Sequence, residues 1–282
     1  MSGSTRFAWA CLAGLLSCAV SGAEKNDSLD LSMQASIGAG MFSYEEDSKP
    51  LKSEWDAPGG VLEGRLRLCD PKGWILAGSG RLTVTDEDRE DWSAGGEVQQ
   101  HNQMNFAGVH ALGEAGHVIF RNSASEMAAL AGAGFRYQHF VRDDLVLYDN
   151  SYNNWQEAEE DVYLAYLNAA LEASAHLTDS LLLNGRVEAG YIFSAQVENS
   201  LVDDRTLDGK DGLILGAQLS LDWQATERSL LSCGLAWEQQ EINGDTTEFY
   251  AVQGGNVFLY EVEWPDNTLE SLWANLSWTY TF

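Results

Sequence analysis

The closing segment of the chain alternates strictly between two faces. In Leu269 to Phe282, the residues Leu272, Ala274, Leu276, Trp278, Tyr280 and Phe282 fall on one face of an extended strand. Trp273, Asn275, Ser277, Thr279 and Thr281 fall on the other, which is mostly small and polar. The same period of two recurs upstream. Leu29, Leu31, Met33, Ala35, Ile37, Ala39 and Met41 alternate with Asp30, Ser32, Gln34, Ser36, Gly38 and Gly40. Leu181, Leu183, Val187, Ala189, Tyr191 and Phe193 form a third such face, and Leu213, Leu215, Ala217, Leu219, Leu221 and Trp223 a fourth. Successive side chains of a strand point to opposite sides, so each of these segments is apolar on one side only. Dyad repeats sustained over ~10 residues predict a transmembrane β-barrel, apolar toward lipid and polar toward the lumen.

Strands of a soluble β-sandwich also alternate, but they average about 5–6 residues. The apolar faces here are longer and end in aromatics, as interfacial girdles require: Trp223, Trp237, Trp278 with Tyr280, and Tyr191 with Phe193. The terminal Phe282 resembles the recognition signal read by the barrel assembly machinery of the outer membrane. The pattern predicts about ten antiparallel strands, near 29–42, 60–69, 73–85, 98–112, 127–141, 161–176, 181–197, 211–223, 229–242 and 269–282, with eight or twelve left open. Short connections fall at Asp70-Pro71-Lys72, Leu177 to Ser180 and Gln224 to Arg228, and long linkers near 43–59, 86–97, 142–160, 198–210 and 243–268. Long and short connections alternate, as they do when one barrel end carries periplasmic turns and the other extracellular loops. A connection at 113–126 is longer than its class should be.

The N-terminus reads as a targeting segment. Arg6 supplies a positive start, Ala8 to Val20 an apolar run, and Ser21-Gly22-Ala23 a small-residue cleavage site. Residues 1–23 are therefore expected to be a signal peptide and 24–282 the barrel, located in the bacterial outer membrane. Leu15-Leu16-Ser17-Cys18 offers a competing lipoprotein cleavage at Cys18. No later stretch reaches the ~18 consecutive apolar residues of a membrane helix.

Charge narrows the partners. With 16 Lys+Arg against 43 Asp+Glu the formal net charge is -27, which repels nucleic acid phosphates and leaves cations, cationic peptides and membrane lipid or lipopolysaccharide as expected partners. The acids crowd the long linkers: Glu45, Glu46, Asp47, Glu54 and Asp56; Asp86, Glu87, Asp88, Glu90, Asp91 and Glu97; Asp143, Asp144, Asp149, Glu157, Glu159 and Glu160; Asp245, Glu248, Glu261, Glu263 and Asp266. This predicts an anionic extracellular rim, which is a solvated face or a weak divalent-cation site, since hard cations want several carboxylate oxygens. No other cofactor is expected. A second set of charges falls on lumen-facing positions: Glu63, Arg65, Arg67, Arg81, Arg136, Glu172, Arg186, Glu188, Asp222 and Glu238. In a narrow barrel these are expected to pair across the lumen as a plug, because unpaired buried charge is too costly. Cys69 and Cys233 lie on strands that are not neighbours, so no disulfide is expected.

The ten-strand plan and the acidic second loop resemble the omptins, outer-membrane proteases with an active site at the extracellular rim. Ala35-Ser36-Ile37-Gly38, Ser53-Glu54-Trp55, Ala133-Gly134-Phe135-Arg136-Tyr137 and Trp278-Thr279-Tyr280-Thr281-Phe282 carry the likeness. The segments Phe42-Ser43-Tyr44-Glu45-Glu46 and Pro265-Asp266-Asn267-Thr268 are similar to uncharacterised barrel proteins. The omptin resemblance implies peptide cleavage by an acidic pair on the second loop and an Asp-x-His dyad on the fourth, the His taking a proton from water while the Asp orients it. The second loop offers Asp86, Asp88 and Asp91, and the fourth offers Asp203 and Asp204 without a following His. His101, beside the acidic second loop, is the candidate substitute, to be weighed against a plain surface histidine. No Ser sits in a G-x-S-x-G motif, which leaves lipid hydrolysis without a nucleophile signature. The expectation is a non-enzymatic barrel with a narrow or plugged lumen and a structural, surface-interaction or low-conductance role. The rival reading is an omptin-like endopeptidase with a rearranged site.

Overall fold

The computed structural model describes residues 29–48, 50–147, 157–200, 206–253 and 256–282. The expected signal peptide (1–23), Asp149, Asp203 and Asp204 lie outside them. In chain order the strands are β1 (Asp30–Ser48), β2 (Leu51–Cys69), β3 (Trp74–Thr85), β4 (Asp88–Ala94), β5 (Glu97–Arg121), β6 (Ser125–Leu147), β7 (Ala158–Thr178), β8 (Leu181–Asn199), β9 (Thr206–Gly209), β10 (Gly212–Thr226), β11 (Ser229–Ile242), β12 (Asp245–Gln253), β13 (Asn256–Trp264) and β14 (Asp266–Thr281). Ten of them close a barrel in the order β1-β14-β11-β10-β8-β7-β6-β5-β3-β2, with β2 returning to β1. All pairings are antiparallel, as the alternation predicted.

The four remaining strands prolong barrel strands beyond short breaks. β4 takes over from β3 after Asp86 and Glu87, pairing with β2 and β5 on either side. β9 precedes β10 and pairs with β8. β12 and β13 pair with each other and continue β11 and β14 past Asn243-Gly244 and Pro265. At one end the connections are tight: 70–73, 122–124, 179–180 and 227–228. Gly73, with φ +89°, makes the first of these possible, and Phe282 N–H bonds to the Leu31 carbonyl at the same end. At the other end Gly95 and Gly96, with φ +60° and +86°, turn β4 into β5 in the two-residue hairpin that requires positive φ twice.

Two expectations need correction. The connection at 113–126 is strand almost throughout, because β5 runs to Arg121 and β6 begins at Ser125. The long linkers at 43–59 and 86–97 are also mostly strand, as are large parts of the linkers at 142–160 and 243–268. β5 has 25 residues and β6 has 23, whereas a tilted strand crosses the hydrocarbon layer in about 9–11. The barrel therefore rises far beyond the membrane.

The apolar face changes sides on the way up. Lower on the strands the exposed large hydrophobics point outward: Ile37 and Met41, Leu62, Leu82 and Val84, Leu167 and Leu171, Leu213 and Leu219, Leu272 and Leu276. Above Met41 the outward positions turn polar, with Ser43 half-buried and Glu45, Asp56, Glu54, Glu198, Glu241 and Glu270 exposed. In the same rows the apolar residues point inward and are buried, among them Phe42, Tyr44, Trp55, Met104, Phe140, Val162, Val197, Ile242 and Trp264. The membrane half is thus polar inside and apolar outside, and the upper half is a water-facing barrel around its own hydrophobic core. Outward Trp74, Trp223, Trp278 and Phe282 mark the lower edge of the apolar band.

Candidate functional site

The lumen at membrane depth is crossed by ion pairs in tiers. Glu238 on β11 is gripped by two guanidiniums from the far wall. Arg81 Nη2 reaches both of its oxygens at 2.7 Å, and Arg136 donates to them at 2.7 and 2.8 Å. Arg136 also bonds Gln240, which exchanges hydrogen bonds with Gln138. Arg81 lies over the Trp273 ring and Arg136 over Tyr166, so both cations have an aromatic face as well. The Tyr166 hydroxyl meets His110 Nε2. It can lie there because Gly134 has no side chain: an added Cβ would fall 2.3 Å from the ring.

Below this tier Arg186 binds three carboxylates, Glu114 and Glu188 at 2.6 Å and Glu172 at 2.7 Å. Arg65 shares Glu172 and approaches Glu114 at 3.7 Å. Asn168 donates to Glu114, and lower still Arg67 pairs with Glu126. The expected pairing is present for eight of the ten lumen charges; Glu63 faces Arg81 across β2 and β3 without an ion pair, and Asp222 accepts hydrogen bonds from Asn184 and Ser220 instead. The sequence reading missed Glu114 and Glu126 because it took 113–126 for a turn. Cavities of about 30 Å³ lie above and below the Arg81–His110 level, each bordered by both residues. Each has room for about two or three waters, since a water needs roughly 10–15 Å³ of such space.

Above the band, the apolar core of the upper half fills the mouth. Set into it is a charged cluster. Arg142 on β6 reaches Glu46 at 3.2 Å, Glu90 at 3.0 Å and Glu160 at 4.0 Å, and lies over the Tyr44 ring. Sequence reasoning placed these three glutamates on the rim, whereas the structure buries them. The signal was present: Glu45 and Glu46 are adjacent in a strand, so one must face inward, and Arg142 is the sole base in its linker. Glu90 accepts hydrogen bonds from Ser53 Oγ at 2.8 Å and Asn102 Nδ2 at 2.6 Å. Burial opposes its charge, but Arg142, Asn102 and Ser53 outweigh it and hold the carboxyl below its ordinary range. Burial pushes Glu46 up to about 7, with Glu160 and Glu90 adding repulsion against the pull of Arg142. Glu160 is raised for the same first reason.

The candidates for peptide cleavage lie elsewhere. Asp86 and Asp88 are exposed. Asp91 and His101 are cross-strand partners of β4 and β5, so the structure does bring these two together, with Asp91 also held by Arg89 at 2.6 Å. They sit on the face of β4 opposite Glu90. An Asp–His pair does form on the outer wall just above the band, where His139 Nδ1 and the Tyr137 hydroxyl meet Asp161 Oδ1 at 2.8 and 2.6 Å. Asp245 is paired with Lys210 at 3.4 Å. Among the described residues no group of three or more His, Cys, Asp or Glu converges as a metal site, and Cys69 and Cys233 are free thiols.

No protein-family model matches the sequence, and no curated protein does. Among solved structures, the outer membrane protease OmpT of Escherichia coli superposes with a TM-score of 0.68 at 9% identity, over 92% of this chain and 98% of that one. The transport unit of the autotransporter AIDA-I from Escherichia coli gives 0.43 at 10% identity, covering 92% of each chain. The translocator domain of the autotransporter NalP from Neisseria meningitidis gives 0.41 at 13% identity, over 99% and 98%. At these identities the OmpT likeness shows the fold, an outer-membrane-type β-barrel.

Proposed function

We propose that the chain is an outer-membrane barrel with a closed lumen, which acts as a structural and surface-interaction protein through its tall, anionic extracellular end. The observation that supports this reading is the filling of the interior. Ion pairs cross it at membrane depth, and an apolar core occupies the mouth. A permeant solute would need the Glu238 bridges broken, and separating buried charges is costly. Export by the N-terminal segment, insertion through Phe282, and lipid or lipopolysaccharide as the surrounding partner belong to the same reading. The test is conductance of the refolded protein in planar bilayers. The expected trace is closed at all moderate voltages, and a steady open level in most insertions would overturn the proposal.

One observation favours a second reading, an omptin-like endopeptidase: the juxtaposition of Asp91 and His101 across β4 and β5. Peptides containing basic residues, incubated with lipid-reconstituted protein, distinguish the two. Cleavage abolished by His101→Ala would replace the first reading, and absence of cleavage would eliminate the second.

A further inference from the structure

The charged cluster in the mouth does not balance. Three carboxylates, Glu46, Glu90 and Glu160, share the one guanidinium of Arg142. Glu90 is compensated, with three donors around a fully buried carboxylate. Glu46 has the Tyr44 hydroxyl at 3.1 Å and Arg142 at 3.2 Å. Glu160 has Asn199 at 3.1 Å and Arg142 only at 4.0 Å. The titratable groups that face the cluster are Tyr44 and Glu46 from β1, Glu90 from β4, Arg142 from β6 and Glu160 from β7. Uncharged neighbours are Ser53 from β2, Asn102 from β5, Asn199 from β8, Trp264 from β13 and the cross-strand partner Asn267 from β14. With all three glutamates ionised, two negative charges would lie uncompensated among Tyr44, Phe140, Val162 and Val197.

We propose that Glu46 and Glu160 share one proton, and that this proton is a latch holding the extracellular half of the barrel closed. Its position gives it that reach. The cluster lies above the apolar band, where the outward neighbours Glu45 and Glu54 are exposed. Through hydrogen bonds and ion pairs it ties together β1, β2, β4, β5, β6, β7 and β8. A proton bound here neutralises one carboxylate and lets it pack against its partner. Its loss sets two buried carboxylates against each other and against Glu90.

The sign follows from linkage. The Glu46 carboxyl holds its proton in the closed barrel up to about 7, against an ordinary value of 4.5. The closed form thus binds more protons than an opened one between these values. The latch's contribution is fully present at acid pH, declines as pH rises through this window, and is absent above it. Acidification tightens the extracellular end and mild alkali loosens it.

Hydrogen exchange of the refolded full-length protein, with exposure times scaled for intrinsic rates, tests this at pH 5.5 and 8.5. Segments 44–55, 88–102 and 158–164 report on the latch, and 31–39 on the membrane half. The expected result is exchange at least about threefold faster at pH 8.5 in the three upper segments, with 31–39 unchanged. Glu46→Gln should remain slow at both values, because the amide carries no charge to lose. Equal wild-type exchange at the two pH values overturns the proposal. So does a Glu46→Gln protein that keeps the wild-type pH response. Should that variant fail to refold, Glu160→Gln carries the same expectation, and the wild-type comparison alone still decides.

Discussion

Replacing Glu238 by alanine should cost the barrel more than any other single change in the lumen. The carboxylate accepts four hydrogen bonds of 2.7–2.8 Å from two arginines, and Arg136 is 4% exposed while Glu238 is 7% exposed. Its removal leaves Arg136 with only the Gln240 oxygen at 3.2 Å and strips Arg81 of its one ion pair, with Glu63 opposite on β2 the nearest remaining acid. Breaking one partner out of a buried ionic group typically costs about 3–5 kcal/mol, because the remaining charge is stranded. With a urea slope of about 2 kcal/mol/M, that moves the unfolding midpoint down by about 2 M. The assay is equilibrium urea unfolding in phospholipid vesicles, read by the mobility of unheated protein on gels. The same reasoning says that the whole group is dispensable. Changing Arg81 and Arg136 to methionine together with Glu238→Leu removes the three charges of this bridge at once, leaves Glu63 to Arg65, and should return the stability to within about 1.5 kcal/mol of the original. A Glu238→Ala protein within about 1 kcal/mol of wild type would refute the stranded-charge argument. A triple variant as unstable as the single one would refute it as well.

Gly134→Ala drives a methyl group into the Tyr166 ring and should cost about 1–3 kcal/mol, whereas Gly113→Ala, which meets nothing within 4 Å, should be neutral in the same urea assay. The inverted pattern makes a paired forecast. Leu276→Arg, on the outward face within the band, should lose about 2–4 kcal/mol in vesicles, while Ser43→Arg, outward but above it, should lose almost nothing. Phe140→Ala, inward above the band, should cost about 3–5 kcal/mol in vesicles and in detergent alike, since its burial does not depend on lipid. Deleting Phe282 should reduce the heat-modifiable form in the outer-membrane fraction of expressing cells, and an unchanged level would remove the proposed role of the terminal aromatic.

The membrane half was legible in the sequence because one physical rule governs it. Lipid demands apolar residues on the outward face, and Leu272, Leu276 and Trp278 answer it with a clean period of two. Strand number, antiparallel order and the lumen charges at Arg81, Arg136, Arg186 and Glu238 followed from that rule. The upper half resembles loops in the sequence for an equally physical reason. There the outward residues are Ser43, Glu45, Glu54 and Asp56, the composition expected of connections, and the alternation persists with its phase reversed. Phe42 and Tyr44 continue directly from Met41, but on the opposite face. A reader following the lipid-facing phase sees the strand end at Met41, although the chain stays extended to Ser48. The same reversal hid the mouth cluster, since Glu46, Glu90 and Glu160 look like surface acids until their strands are extended upward.

The reversal also bears on where activity can reside. A barrel that spans the bilayer and stops there presents only loops to the outside, and loops are variable and mobile. Here the strands carry regular hydrogen bonding well above the hydrocarbon layer and enclose a core of their own, so the exposed wall is built of strand and not of loops. Such a wall can hold side chains in fixed relation, as His139, Tyr137 and Asp161 are held on its outer face. Filling the mouth with Trp55, Phe140 and Trp264 forgoes an open cleft between the strands. On the proposed latch, the protonation of the carboxylates around Arg142 would set how tightly this filled mouth holds together.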